Sequence, residues 1–181
     1  MTRIIEIGGA PSAGKSTLAA DLYARMSEKG LSVQLSREYA CEYAARYGAI
    51  SRYEHVAILG KQLSRITAFL GKVDYIISDS PLYLNAFYSS LIDDDSLTLN
   101  CVRKIYEQIL MEGNEIIQIN LDPLENIKAA GRIHSNSFQL DIDIDKFLDS
   151  NFSLDFFTKE IFLETDYQER LKKSLEVAIN G

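Results

Sequence analysis

The 181-residue sequence has few of the residues that cross-link, interrupt or anchor a chain. Its two cysteines, Cys41 and Cys101, lie far apart and match no metal or redox spacing, which predicts free thiols in a reducing compartment. With only three prolines and no Pro/Gly/Ser-rich linker, we expect a single domain over residues 1–181. No apolar run approaches the roughly 18 residues of a membrane span, and no signal-peptide pattern is present. A cytoplasmic protein with no membrane partner is therefore expected.

The sequence also lacks an excess of positive charge. It has 19 Lys and Arg against 26 Asp and Glu, a formal net charge of −7. Residues 1–90 hold 10 basic and 8 acidic side chains, whereas residues 91–181 hold 9 and 18. The negative sign weighs against a general role in binding duplex DNA, because phosphate contacts need clustered cations. A polyanionic ligand is expected to lie against the first half of the chain.

Short apolar segments alternate with amphipathic ones along the chain. Strands are predicted over residues 3–7, 31–35, 73–78, 115–121 and 152–156. Helices are predicted over residues 16–29, 37–47, 54–70, 81–92, 97–111 and 166–179. This alternation predicts an α/β fold in three layers, with a parallel, roughly five-stranded sheet covered by helices on both faces. Ligands of such sheets bind beyond the carboxyl ends of the strands.

The clearest motif follows the first predicted strand. Residues 9–16 match G-x-x-x-x-G-K-[ST], between an apolar strand and an amphipathic helix as the phosphate-binding P-loop requires. The loop amides and the helix start attract phosphate oxygens, the Lys15 ammonium reaches the β- and γ-phosphates, and the Ser16 hydroxyl is a ligand for Mg²⁺. The predicted phosphate site comprises Gly9, Ala10, Pro11, Ser12, Ala13, Gly14, Lys15, Ser16 and Thr17.

Polar residues also follow the second and third strands. Asp79 ends the third, where a carboxylate can hold Mg²⁺ or its water shell, take the proton of an attacking hydroxyl, or cap the next helix. Arg37, Glu38 and Tyr39 follow the second, and Arg37 and Glu38 are placed to hold an acceptor by ion pair and hydrogen bond. Glu38 is a second candidate for the general base. Tyr39 suits either a packed helix face or stacking on a base.

Three further residues are candidates for ligand contacts. Gln62 and Arg65 lie three apart on one predicted helix, where the amide can read a nucleobase edge and the guanidinium can touch a phosphate. Arg132 lies in a polar stretch after the fourth strand, within a lid-like segment at about 124–140. A lid arginine would neutralise charge on the transferred phosphoryl group.

These features favour a small-molecule kinase over other P-loop proteins. Residues 120–122 do not match the guanine-binding motif, of the type Asn-Lys-x-Asp, that a GTPase needs. A motor ATPase is disfavoured because the chain has no room for a second helical domain. Acceptor, Mg·ATP and lid must close together so that water does not replace the acceptor. A kinase acting on a modified base in DNA remains open, although the net charge does not favour it. So does a P-loop ATPase or regulatory protein without an acceptor.

At these motifs the chain resembles a known kinase group. Residues 7–17, 37–40, Gln62 and 78–82 look like the P-loop kinases of the ribosylnicotinamide kinase domain and the related bacteriophage nucleoside and nucleotide kinases, including those that phosphorylate 5-hydroxymethyluridine in DNA. Residues 131–132 and 142–148 are similar to the lid and following helix of the phage members. The resemblance implies ATP and Mg²⁺ at residues 9–17, a nucleoside-type acceptor near Glu38 and Gln62, a catalytic or metal-bridging Asp79, and Arg132 on the phosphates. It leaves the identity of the acceptor and the oligomeric state open, and a dimer is compatible with it.

Overall fold

A computed structural model describes most of the chain. It covers residues 1–51, 53–92, 96–121, 144–152, 156–157, 159–163 and 166–180. The predicted lid at 124–140, with Arg132, lies outside the described residues. Within the described ranges, no helix combines the length and apolar character needed to cross a membrane.

Strands and helices alternate as predicted through most of the described chain. The strands are β1 (Arg3–Gly9), β2 (Val33–Ser36), β3 (Tyr75–Ser78), β4 (Glu115–Leu121) and β5 (Lys159–Leu163). The helices are α1 (Lys15–Glu28), α2 (Tyr39–Tyr47), α3 (Glu54–Thr67), α4 (Leu82–Ile92), α5 (Ser96–Met111), α6 (Ile144–Asn151) and α7 (Tyr167–Asn180). Helix α6 lies where the resemblance placed a helix after the lid.

The strands described here form one sheet of five parallel strands in the order β2-β3-β1-β4-β5. Strand β1 is central, with Ile5 paired to Ile77 of β3 on one side and Ile117 of β4 on the other. This order confirms the predicted α/β class with its parallel sheet. It also brings the ends of β1, β2 and β3 to one edge.

Apolar residues that alternate along the strands build a core on each face of the sheet. Ile5, Ile7 and Ile77 pack with helices α1 and α7. Ile4 and Ile76 face the other way and pack with helices α3, α4, α5 and α6. The result is three layers, because successive side chains of a strand point to opposite faces.

The predicted fifth strand was wrong in position. The fifth strand is β5 (Lys159–Leu163), which pairs with β4, whereas Phe152 and Phe156 lie in no strand and residues 153–155 lie outside the described residues. Phe152 and Phe156 instead lie with ring centroids 5.8 Å apart in an aromatic cluster against Tyr106 of α5. Alternating phenylalanines resemble a strand in sequence, but here their rings fill the core beneath α5 and α6.

Candidate active site

The loop after β1 has the backbone geometry of a phosphate cradle. Gly9, Ser12 and Gly14 all have positive φ angles, of 124°, 73° and 94°. At Gly9 an added Cβ would lie 2.2 Å from the Leu121 backbone oxygen, so both the angle and the space require glycine. The amide of Ala13 donates to the Ala10 carbonyl at 3.2 Å and tightens the turn.

Helix α1 begins inside this loop. Its N-cap is Gly14, which brings no capping side chain to the first-turn amides that have no partner within the helix. Lys15 Nζ donates to the carbonyls of Gly9 and Ala10 at 2.9 and 3.0 Å, so the ammonium lies across the loop. The amides, the helix dipole and the ammonium therefore converge on one anion-binding position.

A cavity of about 410 Å³ opens beside the loop. The lining residues are Ser16, Arg37, Glu38, Cys41, Glu42, Arg65 and Asp79. The fold thus brings the P-loop serine together with four predicted residues. Arg37 and Glu38 lie between β2 and α2, Asp79 follows β3, and Arg65 lies in α3. Acidic and basic side chains share the lining, as suits a ligand that carries both hydroxyl and anionic groups.

A hydrogen bond joins Asp79 and Glu38 at the carboxyl edge of the sheet. Asp79 is 3% exposed, and its Oδ1 accepts a hydrogen bond from the Glu38 amide at 2.6 Å. The first amide of α4, from Leu82, donates to Glu6 Oε1 instead, at 3.1 Å. The Asp79 carboxylate therefore links the ends of β2 and β3 and does not bond to that amide of α4.

The Glu38 carboxylate has a different environment from that of Asp79. The Cys41 thiol donates to Glu38 Oε2 at 3.0 Å, one turn along α2. Burial and the neighbouring Glu38 raise the pKa of the Cys41 thiol to about 12, so it stays protonated at neutral pH. An S–H group is a weak donor, which leaves the Glu38 carboxylate available to a stronger one from a ligand.

Gln62 is placed inside the protein rather than in the cavity. It is 1% exposed, and its Oε1 accepts the Tyr39 amide at 2.9 Å. Its Nε2 lies 3.4 Å from Ser36 Oγ and 3.3 Å from Ser78 Oγ. The amide group thus joins α3 to the start of α2 and to the ends of β2 and β3, which differs from the predicted contact with a nucleobase.

Arg65 reaches the cavity but is already engaged within the protein. Its guanidinium donates to the Arg37 carbonyl at 2.9 Å and to Glu42 at 2.5 Å, and lies 5.0 Å from the centroid of the Tyr39 ring. Glu42 also pairs with Arg46 at 2.7 Å. The hydrogen bond from Arg65 keeps the pKa of Glu42 below its usual range. The Tyr39 ring therefore helps to hold the Arg65 guanidinium in place.

A buried carboxylate supports the strand that leads into the loop. Glu6 of β1 is 1% exposed, and accepts the Leu82 amide at 3.1 Å and the Tyr106 hydroxyl at 2.5 Å. Burial raises the pKa of Glu6 to about 7. Burial and Glu6 together raise the pKa of Tyr106 well above its ordinary value. Glu6 therefore joins β1 to the start of α4, three residues beyond Asp79.

The fold of the chain is similar to that of solved kinases. Deoxyadenosine kinase from M. mycoides with bound dATP matches at 19% identity with a TM-score of 0.56, covering 94% of this chain and 95% of that one. APS kinase of Mycobacterium tuberculosis in complex with AMPPNP and APS matches at 11% identity with a TM-score of 0.52, covering 97% and 96%. At these identities the likeness concerns the fold alone. No curated protein matches the chain.

The family is shown by a match to the first half of the sequence. A family model described as chromatin associated protein KTI12 matches residues 1–94, just over half of the 181 residues. The chain belongs to the KTI12 family. The match contains the P-loop, Glu38, Gln62 and Asp79. It agrees with the P-loop kinase part of the resemblance, and the narrower ribosylnicotinamide and phage groups stay a prediction.

The donor set of this KTI12-family chain fits Mg²⁺. The Ser16 hydroxyl and the Asp79 carboxylate line the same cavity, and both are oxygen donors of the kind that Mg²⁺ prefers. Among the residues that the structure describes, no group of three or more His, Cys, Asp or Glu could hold a metal. Mg²⁺ in phosphate sites needs only one or two protein ligands, since phosphates and waters fill the rest.

Three residues that line or support this site in the KTI12-family chain were not among the predicted site residues. Cys41 and Glu42 lie three and four positions after Glu38, so helical spacing from a known candidate would have found them. Glu6 stands alone within the apolar strand of residues 3–7, and a carboxylate in such a run signals a buried partner. That partner, Tyr106, is 100 positions away and has no local signal.

Proposed function

We propose that the protein is an ATP-dependent phosphotransferase that moves the γ-phosphoryl group of ATP to a nucleoside-type acceptor. The observation that carries this proposal is the cavity, where the P-loop residue Ser16 lies with Glu38 and Asp79. A P-loop alone binds a nucleotide, whereas a walled cavity with carboxylates beside it gives a second substrate a place to react. The names of the structural neighbours, a deoxyadenosine kinase and an APS kinase, support such an acceptor.

The chemistry follows from the positions of these residues. An acceptor hydroxyl attacks the γ-phosphorus, a new O–P bond forms, and the bond to the bridging oxygen breaks as ADP leaves with the electron pair. The proton of the hydroxyl passes to the Glu38 carboxylate. Asp79 is less suited to that role because its Oδ1 already accepts the Glu38 amide. The Lys15 ammonium stabilises charge on the phosphates, and Arg132 of the lid segment is assigned the same task.

Ser16 and Asp79 would hold Mg²⁺ in this scheme. The ion neutralises phosphate charge when it is bound with ATP. Arg37 and Arg65, which line the same cavity, bind anionic groups of the acceptor, and Arg65 is oriented by Glu42 and Tyr39. An acceptor with a hydroxyl near Glu38 and a negative charge near the arginines fits this arrangement.

Labelled ATP tests the proposal directly. The protein is incubated with γ-labelled ATP and a panel of nucleosides, mononucleotides, ribosylnicotinamide and DNA that contains 5-hydroxymethyluridine. We expect label on one acceptor class with the wild-type protein. Lys15→Ala should lower transfer about a thousandfold, because the charge on the phosphoryl group loses its ammonium. Lys61→Ala, at an exposed lysine of α3, is the matched control and should transfer at the wild-type rate. Normal transfer by Lys15→Ala would contradict the proposal.

A regulatory nucleotide-binding protein is the second candidate function. The family description, a chromatin associated protein, favours it because that description names no enzymatic reaction. In that case ATP binds and is hydrolysed at a rate that no member of the panel changes. Transfer to the DNA substrate with a steep dependence on salt would instead identify a DNA-directed kinase.

A further inference from the structure

Helix α7 brings a charged side chain into the core behind the P-loop. Arg170 is 1% exposed and lies on the buried face of α7 with Leu171, Ser174 and Ala178. A guanidinium is rarely buried so completely, because its desolvation is costly unless hydrogen bonds compensate. It lies outside residues 1–94, the stretch that the family model matches. A specific contact is therefore the best explanation of its burial.

That contact is with the P-loop itself. Arg170 Nη1 donates to the Ala13 carbonyl at 3.1 Å, although the two residues are 157 positions apart. Ala13 is also buried, and its amide donates to the Ala10 carbonyl. The orientation of the peptide group between Ala13 and Gly14 is therefore held from the interior of the protein.

The planarity of the peptide bond gives this contact a consequence at the ligand side. In a trans peptide the C=O and the following N–H point in opposite directions. Because Arg170 holds the Ala13 oxygen toward α7, the Gly14 amide points away from α7. Gly14 is the N-cap of α1, where amides face a bound anion.

We propose that Arg170 is a positioning residue of the phosphate cradle, which aims the Gly14 amide at the phosphate oxygens of a bound triphosphate. The inference deepens the proposed function and rests on it in one respect, that the loop binds a nucleoside triphosphate. The fixed guanidinium charge behind the loop also favours a polyanion in front of it.

Hydrogen bonds near both ends of α7 fix the position of Arg170 relative to the P-loop. The Tyr167 hydroxyl at its start donates to Asp21 of α1. Near its other end, the Ile179 carbonyl accepts Arg3 Nη1 at 3.2 Å, which ties α7 to the beginning of β1. Both hydrogen bonds are to elements that flank the P-loop, β1 and α1, so they fix the position of α7 relative to the loop.

Binding of the non-hydrolysable triphosphate AMPPNP, measured by calorimetry on the full chain, tests this role. We expect Arg170→Met, which keeps the bulk but loses the donors, to weaken binding about tenfold. Arg170→Lys restores a donor and the charge and should recover to within about threefold of wild type. Ser174→Ala, one turn further on the same buried face, is the matched control and should bind as the wild-type protein does.

Amide hydrogen exchange separates positioning from general support of the fold. In the protein without nucleotide, Arg170→Met should speed exchange over residues 10–17 while leaving α7 protected as in wild type. Uniform acceleration over α7 and the loop, with equal loss in Ser174→Ala, would overturn the inference. If Arg170→Met does not fold, Arg170→Lys decides: AMPPNP binding more than about tenfold weaker than wild type in that variant, although it keeps a donor and the charge, would overturn the inference.

The outcomes also distinguish this inference from the proposed function. A wild-type protein that does not bind AMPPNP contradicts both. A wild-type protein and an Arg170→Met variant that bind AMPPNP equally contradict the role of Arg170 alone. Binding without transfer to any acceptor contradicts the kinase proposal and leaves the role of Arg170 supported.

Discussion

The two halves of the candidate site are built in different ways. The loop half, residues 9–17, is one continuous segment whose binding groups are mainly backbone amides held by positive φ angles. The cavity half, defined as Arg37, Glu38, Cys41, Glu42, Arg65 and Asp79, consists of side chains from four different elements. The first is local in sequence, and the second exists only after the sheet and helices have assembled.

This difference separates the general part of the function from the specific part. Backbone amides recognise phosphate whatever the protein does with it, so the loop half accounts for nucleotide binding. Side chains of the cavity half differ in charge and reach, so in the proposed reaction they would select the acceptor and remove its proton. A change in either half should therefore disturb one property and spare the other.

The largest effect is expected from Gly9→Ala in the loop half. The new Cβ would meet the Leu121 oxygen at 2.2 Å and the residue would keep a φ of 124°, so we expect the free energy of unfolding to fall by about 4 kcal/mol. Urea unfolding measures it. Gly14→Ala is the control: its φ of 94° is also strained, but no atom lies within 4 Å of its Cβ position, so a loss of only about 1 kcal/mol is expected. Equal losses in both variants would contradict the role of the Leu121 contact.

The next largest effect concerns Glu6, which joins β1 to the start of α4. Its pKa is about 7 in the folded protein against 4.5 as the ordinary value, so the folded state binds the extra proton between these pH values. Stability therefore falls as pH rises from about 4.5 to about 7, by about 3 kcal/mol, and is then constant. Tyr106, the group that faces Glu6, stays neutral throughout because its pKa is raised.

Urea unfolding at several pH values checks the Glu6 prediction. The difference in unfolding free energy between the wild-type protein and Glu6→Gln should fall as pH rises, since glutamine does not titrate but can still accept a hydrogen bond from the Leu82 amide. Tyr106→Phe removes the hydroxyl that lowers the pKa of Glu6, so it should move the fall to higher pH. Parallel curves for wild type and Glu6→Gln would show that the carboxyl does not titrate in this range.

A smaller effect on free energy, confined to the cavity half, is expected from Asp79→Asn. The asparagine oxygen can still accept the Glu38 amide, so the fold is kept while the negative charge is lost. Turnover with the identified acceptor should fall about a hundredfold, because Asp79 would hold the Mg²⁺ that neutralises phosphate charge, whereas AMPPNP affinity measured without added Mg²⁺ should stay within about threefold of wild type. Glu28→Gln, at an exposed carboxylate of α1, should change neither value. A matching loss of nucleotide affinity would place Asp79 in the loop half.

The smallest effect is expected from Glu42→Gln. This variant weakens the hold on Arg65 without removing a group that touches the phosphates. The KM for the acceptor should rise about threefold, because partly exposed ion pairs contribute little, and kcat should not change. Steady-state kinetics at saturating ATP give both values. Unchanged KM would show that Arg65 keeps its position without Glu42.

Local signals account for what the sequence predicted well. The P-loop, the apolar strands and most helix limits follow from patterns within a few residues, and Asp79 and Glu38 follow from the rule that sites lie beyond strand ends. Gln62 was recognised as important, but its amide is turned inward by the Tyr39 amide, which no periodicity shows. The pairings of Glu6 with Tyr106 and Arg170 with Ala13 span 100 and 157 positions, and only the assembled fold brings them together.

The central place of β1 has a consequence for the order in which the protein is made. This strand is synthesised before both of its neighbours, β3 and β4, and β4 is complete only at Leu121. Until then the edge of residues 3–9 that pairs with β4 is unpaired on a growing chain, the kind of surface that chaperones protect. Since Leu121 also lies against Gly9, we expect the nascent chain to acquire affinity for a nucleotide only after Leu121 has left the ribosome.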